Sequence, residues 1–371
     1  FVQTKEYAGD LLGIDLWTVI KDASYSFLDR NRNLFMKRLE DGRICNGHGD
    51  LRSDHIYFTD EIQIIDCIEF NDRFRYLDPA SDLGFLHMDL IHRGAWHTSI
   101  ELLDSFTESA DDIELYRLLD FYACYRAMVR TKVSCIRFQQ LKNSAGKKLR
   151  EEIEEYLRLA FEHALGFARP VLWVVCGLPG TGKSTLARSL SEFFGIPLIQ
   201  SDNVRSELAK RLSDEAEVTS YGKGLFRATV KKQVYARMLL NAQEHLENGE
   251  PVILDATYAK RSRRDEVRRL ASNQESGCIF VETTCSRDTM RSRLEARKNS
   301  KLETQARARH LRGFLNSYQP LDEIPASMSL KVDTEVSEER SFKQAVKNWY
   351  RLHHRQVNAY LRARLTEAAS S

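Results

Sequence analysis

The 371 residues contain no run approaching the roughly 18 consecutive apolar residues of a membrane span. A transmembrane helix is therefore not expected. No secretory signal pattern opens the chain, and the expectation is a soluble, cytoplasmic protein. Paired cysteines are lacking too: the 7 present are an odd number without CxxC spacing, which argues against a disulfide framework or a cysteine-held zinc and for a reducing compartment. Cys176, inside an apolar run, reads as a small core residue. Charge of one sign is missing as well. The 55 Lys and Arg against 53 Asp and Glu leave a net +2, which gives no global argument for nucleic acid or a membrane surface, although arginines cluster near 261–269 and 291–312. No basic track interleaved with aromatics is seen, so nucleic acid is not an expected partner. Internal repeats and low-complexity tracts are likewise missing.

What is there centres on residues 177–185, GLPGTGKST, which complete GxxxxGK[ST] between the apolar run Val171–Cys176 and a helical pattern. Strand, loop and helix in that order predict a phosphate-binding loop. Gly177, Gly180 and Gly182 allow backbone N–H groups to turn toward phosphate oxygens, with Leu178, Pro179 and Thr181 between them. Lys183 supplies a charge to the β and γ phosphates, Ser184 a hydroxyl to Mg²⁺, and Thr185 supports the same cluster. ATP and Mg²⁺ are the expected ligands.

At this length two units are expected. Residues 1–168 are mainly helical in texture, with helix at Leu34–Leu39, short strands at Ile56–Phe58 and Ile62–Ile65, and helices over Ile113–Ala168. From 169 the pattern alternates strand and helix, with apolar runs at 171–176, 196–200, 251–254, 278–283 and 328–332. Such runs separated by helices predict an α/β unit over 169–335 with a parallel, doubly wound sheet, nucleotide-kinase-like in class. Residues 336–371 read as a C-terminal helix packing on it.

Ligands of open α/β sheets sit beyond the carboxyl ends of the strands. After the second run come Asp202 and Arg205, after the third Asp255, and after the fourth Arg291, Arg293 and Arg297. Asp202 reads either as a base toward an acceptor hydroxyl or as the N-cap of a helix beginning near Val204. Asp255, closing VILD, reads as a carboxylate for the magnesium water shell or as a plain strand end. The three arginines fit a lid over the phosphates or a solvated helix face. Arg205 and Arg264 are candidates for the acceptor's anionic groups, and a surface role for Arg264 stands equally open.

GLPGTGKST, SDNVR and DATY followed by Arg264 resemble the small P-loop kinases grouped with polynucleotide 5′-kinases, zeta toxins and gluconate-kinase-like enzymes. The resemblance covers about residues 170–335 and implies Asp202 as general base. The stretch KNSKLETQARARH lacks the acidic lid motif of many members. In the first half, HGDLRSDH followed by Asp66 in IQIIDCIEF resembles the catalytic lobe of aminoglycoside and choline phosphotransferases. That implies a kinase-like C-lobe with its small lobe absent, Asp50 as base, Asp66 on Mg²⁺, and Asp78 and Asp82 steadying the loop. His55 stands where that family has Asn.

The expectation is an ATP-dependent phosphotransferase with Lys183 and Asp202 as catalytic residues and a small-molecule hydroxyl as acceptor. An ATP-regulated switch with a degenerate first domain and a polynucleotide 5′-kinase are the other readings.

Overall fold

The computed structural model describes residues 4–6, 14–140, 146–211, 228–296 and 311–370. The chain divides into two compact units: Phe1–Ala168 together with Val357–Ser371, and Arg169–Gln356.

The first unit is mainly helical. Its helices are α1 (Ile14–Arg30), α2 (Arg32–Glu40), α3 (Pro79–His92), α4 (Trp96–Ser109), α5 (Leu115–Gln140) and α6 (Gly146–Ala168), with a single helical turn at Asp72–Arg75. Two small antiparallel ladders accompany them, β1 (Cys45–Asn46) with β4 (Tyr76–Leu77) and β2 (Ile56–Phe58) with β3 (Ile62–Ile64). Proline at the first position of α3 has no N–H to waste there, and the Asp78 side chain caps the end by accepting from Ala80 N–H. Ala123, Ala127, Ala160 and Ala164 on α5 and α6 share a core with Phe85, Met88 and Ile153.

Arg38, 1% exposed, is the electrostatic centre of this unit. It pairs with both oxygens of Asp78, at 2.5 and 2.8 Å, and with both of Asp112 at 2.8 Å. Burial alone would lower its pKa; the hydrogen bonds to Asp78 and Asp112 outweigh that and raise it. The loop before β2 is held by carboxylates. Asp82 accepts the N–H groups of His48 (2.7 Å) and Gly49 (2.9 Å), Asp89 accepts that of Ser53 (3.0 Å), and Arg126 donates to the Gly49 carbonyl at 2.8 Å.

The second unit is built on a five-stranded parallel sheet: β5 (Val171–Cys176), β6 (Leu198–Gln200), β7 (Val252–Asp255), β8 (Gly277–Thr284) and β9 (Ser329–Asp333), in the order β6-β7-β5-β8-β9. Helices cover both faces of such a sheet, so its strands are nearly continuous apolar runs; every residue of β5 and β7 is buried. The expected run at 196–200 becomes a strand only from Leu198, since Pro197 has no N–H to give a ladder. The helices here are α7 (Lys183–Phe194), α8 (Ser201–Arg211), α9 (Ala228–Glu247), α10 (Arg261–Asn273), α11 (Arg287–Ala296), α12 (Leu311–Ser317) and α13 (Glu338–Ser370). Val230, Val234, Met238, Ala242 and Leu246 recur every four residues along α9 and join Leu172, Val174, Val252 and Leu254 in the sheet core. Trp349 of α13 lies 5.5 Å from the Trp173 ring of β5 and 4.6 Å from Phe194 of α7. The helix expected over 336–371 to pack on the P-loop unit is α13, which groups with that unit through Gln356, while residues from Val357 group with the first unit.

Candidate functional site

β5 ends at Cys176 and α7 begins at Lys183, so the intervening loop lies at the carboxyl edge of the central strand. Its glycines take positive φ, 135° at Gly177, 86° at Gly180 and 81° at Gly182. The first shows why no side chain is admitted: a Cβ at Gly177 would come within 2.6 Å of the Thr283 carbonyl oxygen. The loop is anchored from both neighbouring strand ends on that side. Thr181 Oγ1 lies 2.7 Å from Thr283 Oγ1 at the end of β8 and donates to the Leu178 carbonyl at 2.7 Å. Thr334, just past β9, donates to the Thr181 carbonyl at 3.0 Å. Lys183, 9% exposed, donates its ammonium to the Leu178 carbonyl at 2.8 Å, directly over the loop.

The register brings two carboxylates alongside. Asp255 pairs with Val175 of β5 and with Gln200 of β6, so it flanks the base of the loop. It is 4% exposed and accepts from Gln200 Nε2 at 3.0 Å. Asp202 lies two residues past β6. Helix α8 begins at Ser201, not near Val204, so Asp202 sits within the first turn and not at the cap position. Its carboxylate is 43% exposed and accepts from Arg205 at 2.8 Å.

The arginines separate. Arg293 of α11 donates to Thr334 Oγ1 (3.1 Å) and to the Thr334 carbonyl (2.6 Å), with a guanidinium nitrogen 3.6 Å from where a Gly182 Cβ would be. A cavity of about 260 Å³ opens there, lined by Gly182, Thr185, Arg293, Thr334, Val336 and Ser341. Arg291 is 66% exposed and pairs with Asp288 at 3.7 Å. Arg297 and the stretch KNSKLETQARARH lie outside the described residues.

Arg264 corrects the sequence reading. It is neither on the surface nor open to an acceptor: fully buried, it donates to the carbonyls of Tyr258 (2.8 Å), Gln319 (3.1 Å) and Pro320 (2.9 Å) and to both oxygens of Glu323 (2.5 and 3.0 Å). All five N–H donors of a guanidinium are thereby used. The hydrogen bonds from Arg264 hold the Glu323 carboxyl at about 2.

In the first unit Asp50 and Asp66 do come together, with an imidazole between them. His55 Nε2 is 3.4 Å from Asp66 Oδ2, its Nδ1 is 3.9 Å from Asp50 Oδ2, and Arg52 contacts both Asp50 (3.3 Å) and His55 (2.8 Å). Asp66 takes φ 65°, a conformation that non-glycine residues hold at some cost. Asp78 and Asp82 have the structural roles given above. Thiol chemistry has no support in the core, where burial pushes Cys124 and Cys278 up to about 12.

Sequence reasoning missed Thr283 and Thr334. Both stand at carboxyl ends of strands, so the rule that drew attention to Asp202 and Asp255 would have found them. It also missed Arg38, Asp89 and Arg126, whose partners lie tens of residues away and leave no local signal.

Among known proteins, the AAA domain family model matches residues 172–321. Among solved structures, a gluconokinase from Sinorhizobium meliloti 1021 is 20% identical, covering 53% of this chain and 98% of that one at a TM-score of 0.38. Chaetomium thermophilum Kti12 in complex with ADP-AlF3 is 18% identical, covering 48% and 97%, at a TM-score of 0.37. Uncharacterized protein Rv2004c of Mycobacterium tuberculosis is 32% identical over 361 residues, which are 94% of this chain and 68% of that protein. Uncharacterized protein Mb2027c of Mycobacterium bovis matches to the same extent. Among the described residues no helix is long and apolar enough to cross a membrane. The second unit is a P-loop, nucleotide-binding fold, and the chain as a whole belongs to the family of Rv2004c and Mb2027c.

Proposed function

We propose that the second unit is an ATP-dependent phosphotransferase that moves the γ phosphate to a hydroxyl of a small-molecule acceptor. One observation carries this reading: the strand order and register line up the loop at 177–185, Asp255 and Asp202 along one carboxyl edge of the sheet. Phosphoryl transfer requires little covalent chemistry from a protein; it requires positioning and charge. The loop's backbone N–H groups would cradle the phosphates, and Lys183 would exchange its contact with the Leu178 carbonyl for phosphate oxygens. Gly177 fits that role, because the space a Cβ would fill is the space the backbone needs. Ser184 and the buried Asp255 would hold a magnesium ion, which supplies positive charge to the β and γ phosphates. Arg293, beside Gly182 and the cavity, would be the arginine that meets nucleotide, whereas Arg291 pairs with Asp288.

Asp202 is the general base of this scheme, accepting the acceptor's hydroxyl proton as the phosphate moves. Arg205 fixes its carboxylate through the 2.8 Å bond, which makes it a positioning residue as well as a candidate contact for an anionic acceptor.

For the first unit the favoured reading is a phosphotransferase-like scaffold without its own chemistry. His55 and Arg52 occupy the ground between Asp50 and Asp66 that a metal would need. The test is transfer of labelled γ phosphate from ATP into pooled sugars, nucleosides, aminoglycosides and oligonucleotides. Label in one small-molecule class that is lost in Lys183→Ala and in Asp202→Asn supports the proposal. Label surviving both substitutions and lost in Asp50→Asn moves the chemistry to the first unit. ATP binding without labelled acceptor supports a regulatory switch, and label in oligonucleotides a polynucleotide kinase.

A further inference from the structure

Three side chains from three helices of the first unit meet where the sequence shows no motif: His87 on α3, Asp120 on α5 and His163 on α6. One candidate ligand atom from each lies within 4.8 Å of the other two. His87 is 0% and His163 2% exposed, and their rings are 5.7 Å apart, inclined at 58°. Two imidazoles are thus enclosed in a helical core beside a carboxylate.

The hydrogen bonding assigns the tautomer. His163 Nδ1 lies 2.8 Å from Asp120 Oδ1. An ionised carboxylate only accepts, so Nδ1 carries the proton and the lone pair is on Nε2. That Nε2 is buried and meets no hydrogen-bond partner among the described residues. Buried polar atoms are nearly always satisfied, and a buried imidazole lone pair facing no donor is suited to an electrophile. His87 is oriented from its other side, its Nδ1 2.7 Å from Ser99 Oγ. The backbone makes room for the carboxylate: Gly166 lies three residues beyond His163 on α6, and a Cβ there would come within 2.5 Å of Asp120 Oδ2.

We propose that His87 and His163 bind a divalent transition-metal ion of the zinc class, with Asp120 fixing the His163 ring and adding negative charge at the site. A carboxylate on the far nitrogen of a metal-binding imidazole both selects the tautomer and raises its basicity. Imidazole donors favour Zn²⁺, Co²⁺, Ni²⁺ or Cu²⁺ over the oxygen-seeking Mg²⁺ and Ca²⁺, so this site is chemically distinct from the one at the P-loop. The ion would tie α3, α5 and α6 together, and its binding would stabilise the first unit by mass action.

The test uses the full chain, stripped with EDTA and titrated without nucleotide. With Zn²⁺ the thermal midpoint is read; with Co²⁺ the visible d–d absorption. The expected result is one ion per chain, a rise in midpoint with Zn²⁺, and a Co²⁺ spectrum of low-coordinate type. Both signals are lost in His87→Gln and His163→Gln and kept in His55→Ala, which removes the other place where a histidine meets two carboxylates. Asp120→Asn keeps an acceptor for Nδ1–H and lowers affinity roughly 10- to 100-fold. Should the glutamine variants fail to fold, X-ray absorption on zinc-loaded His55→Ala decides: two imidazoles around the ion support the site. Overturning results are no uptake by the stripped wild type, uptake that survives His163→Gln, uptake lost in His55→Ala, or fewer than two imidazoles in the absorption shell.

Discussion

Replacing Glu323 with Gln removes the carboxylate around which the Arg264 cluster is organised. Two N–H groups of the buried guanidinium donate to it, at 2.5 and 3.0 Å, and the Glu323 side chain is only 10% exposed, so solvent screens the pair little. These hydrogen bonds hold the Glu323 pKa at about 2 against an ordinary 4.5. At ~1.4 kcal/mol for each tenfold change, the difference corresponds to roughly 3 kcal/mol of stability at neutral pH. The unfolded carboxylate takes up a proton before the folded one does. The stabilisation is therefore complete above about pH 4.5 and disappears as the pH falls toward 2. Gln keeps one acceptor oxygen, so Glu323→Gln is expected to lower stability at pH 7 by about 2–3 kcal/mol. Hydrogen exchange into peptides covering β5 and β8, corrected for intrinsic rates, reports the second unit specifically. Wild type and variant should differ at pH 7 and converge as the pH drops below 4.5. Equal protection at pH 7, or a gap that persists unchanged to pH 2.5, would refute the assignment of Arg264 and Glu323 as a stabilising pair.

Gly177→Ala places a methyl group against the Thr283 carbonyl at a φ of 135°; ATP affinity measured by calorimetry should fall at least about tenfold, in line with roughly 1–3 kcal/mol of backbone strain, and unchanged affinity would contradict the loop geometry. Arg38→Ala leaves Asp78 and Asp112 buried without their cation; a loss of about 3–5 kcal/mol in urea unfolding of the first unit is expected, and a loss below about 1 kcal/mol would show that water or rearrangement replaces the arginine. Asp82→Asn halves the acceptor capacity that holds the His48 and Gly49 N–H groups; limited proteolysis should cut the loop at 47–55 faster than in wild type, and an unchanged rate would assign the loop's order to Asp89 and Arg126 instead.

The sheet was legible because a strand buried on both faces needs an unbroken apolar run, and the five runs at 171–176, 196–200, 251–254, 278–283 and 328–332 each contain an observed strand or most of one. The loop at 177–185 was legible for a different reason: backbone approach to phosphate leaves little choice of residue. Strand order left no local trace, and only the fold places Asp255 between Val175 and Gln200. Arg264 was misread because a buried arginine and a ligand-binding arginine look alike in sequence; its partners at 319–323 lie more than fifty residues on. The His87, Asp120 and His163 cluster was invisible since the three residues belong to separate helices with no fixed spacing.

The threonine ties around the P-loop have a kinetic consequence. Thr181 is fastened to Thr283 and Thr334 before any phosphate arrives, so the loop's shape is settled during folding and little ordering entropy is left to be lost on association. Under the proposed function, nucleotide capture would then need little more of the loop than the release of the Lys183 ammonium from contacts such as that on the Leu178 carbonyl.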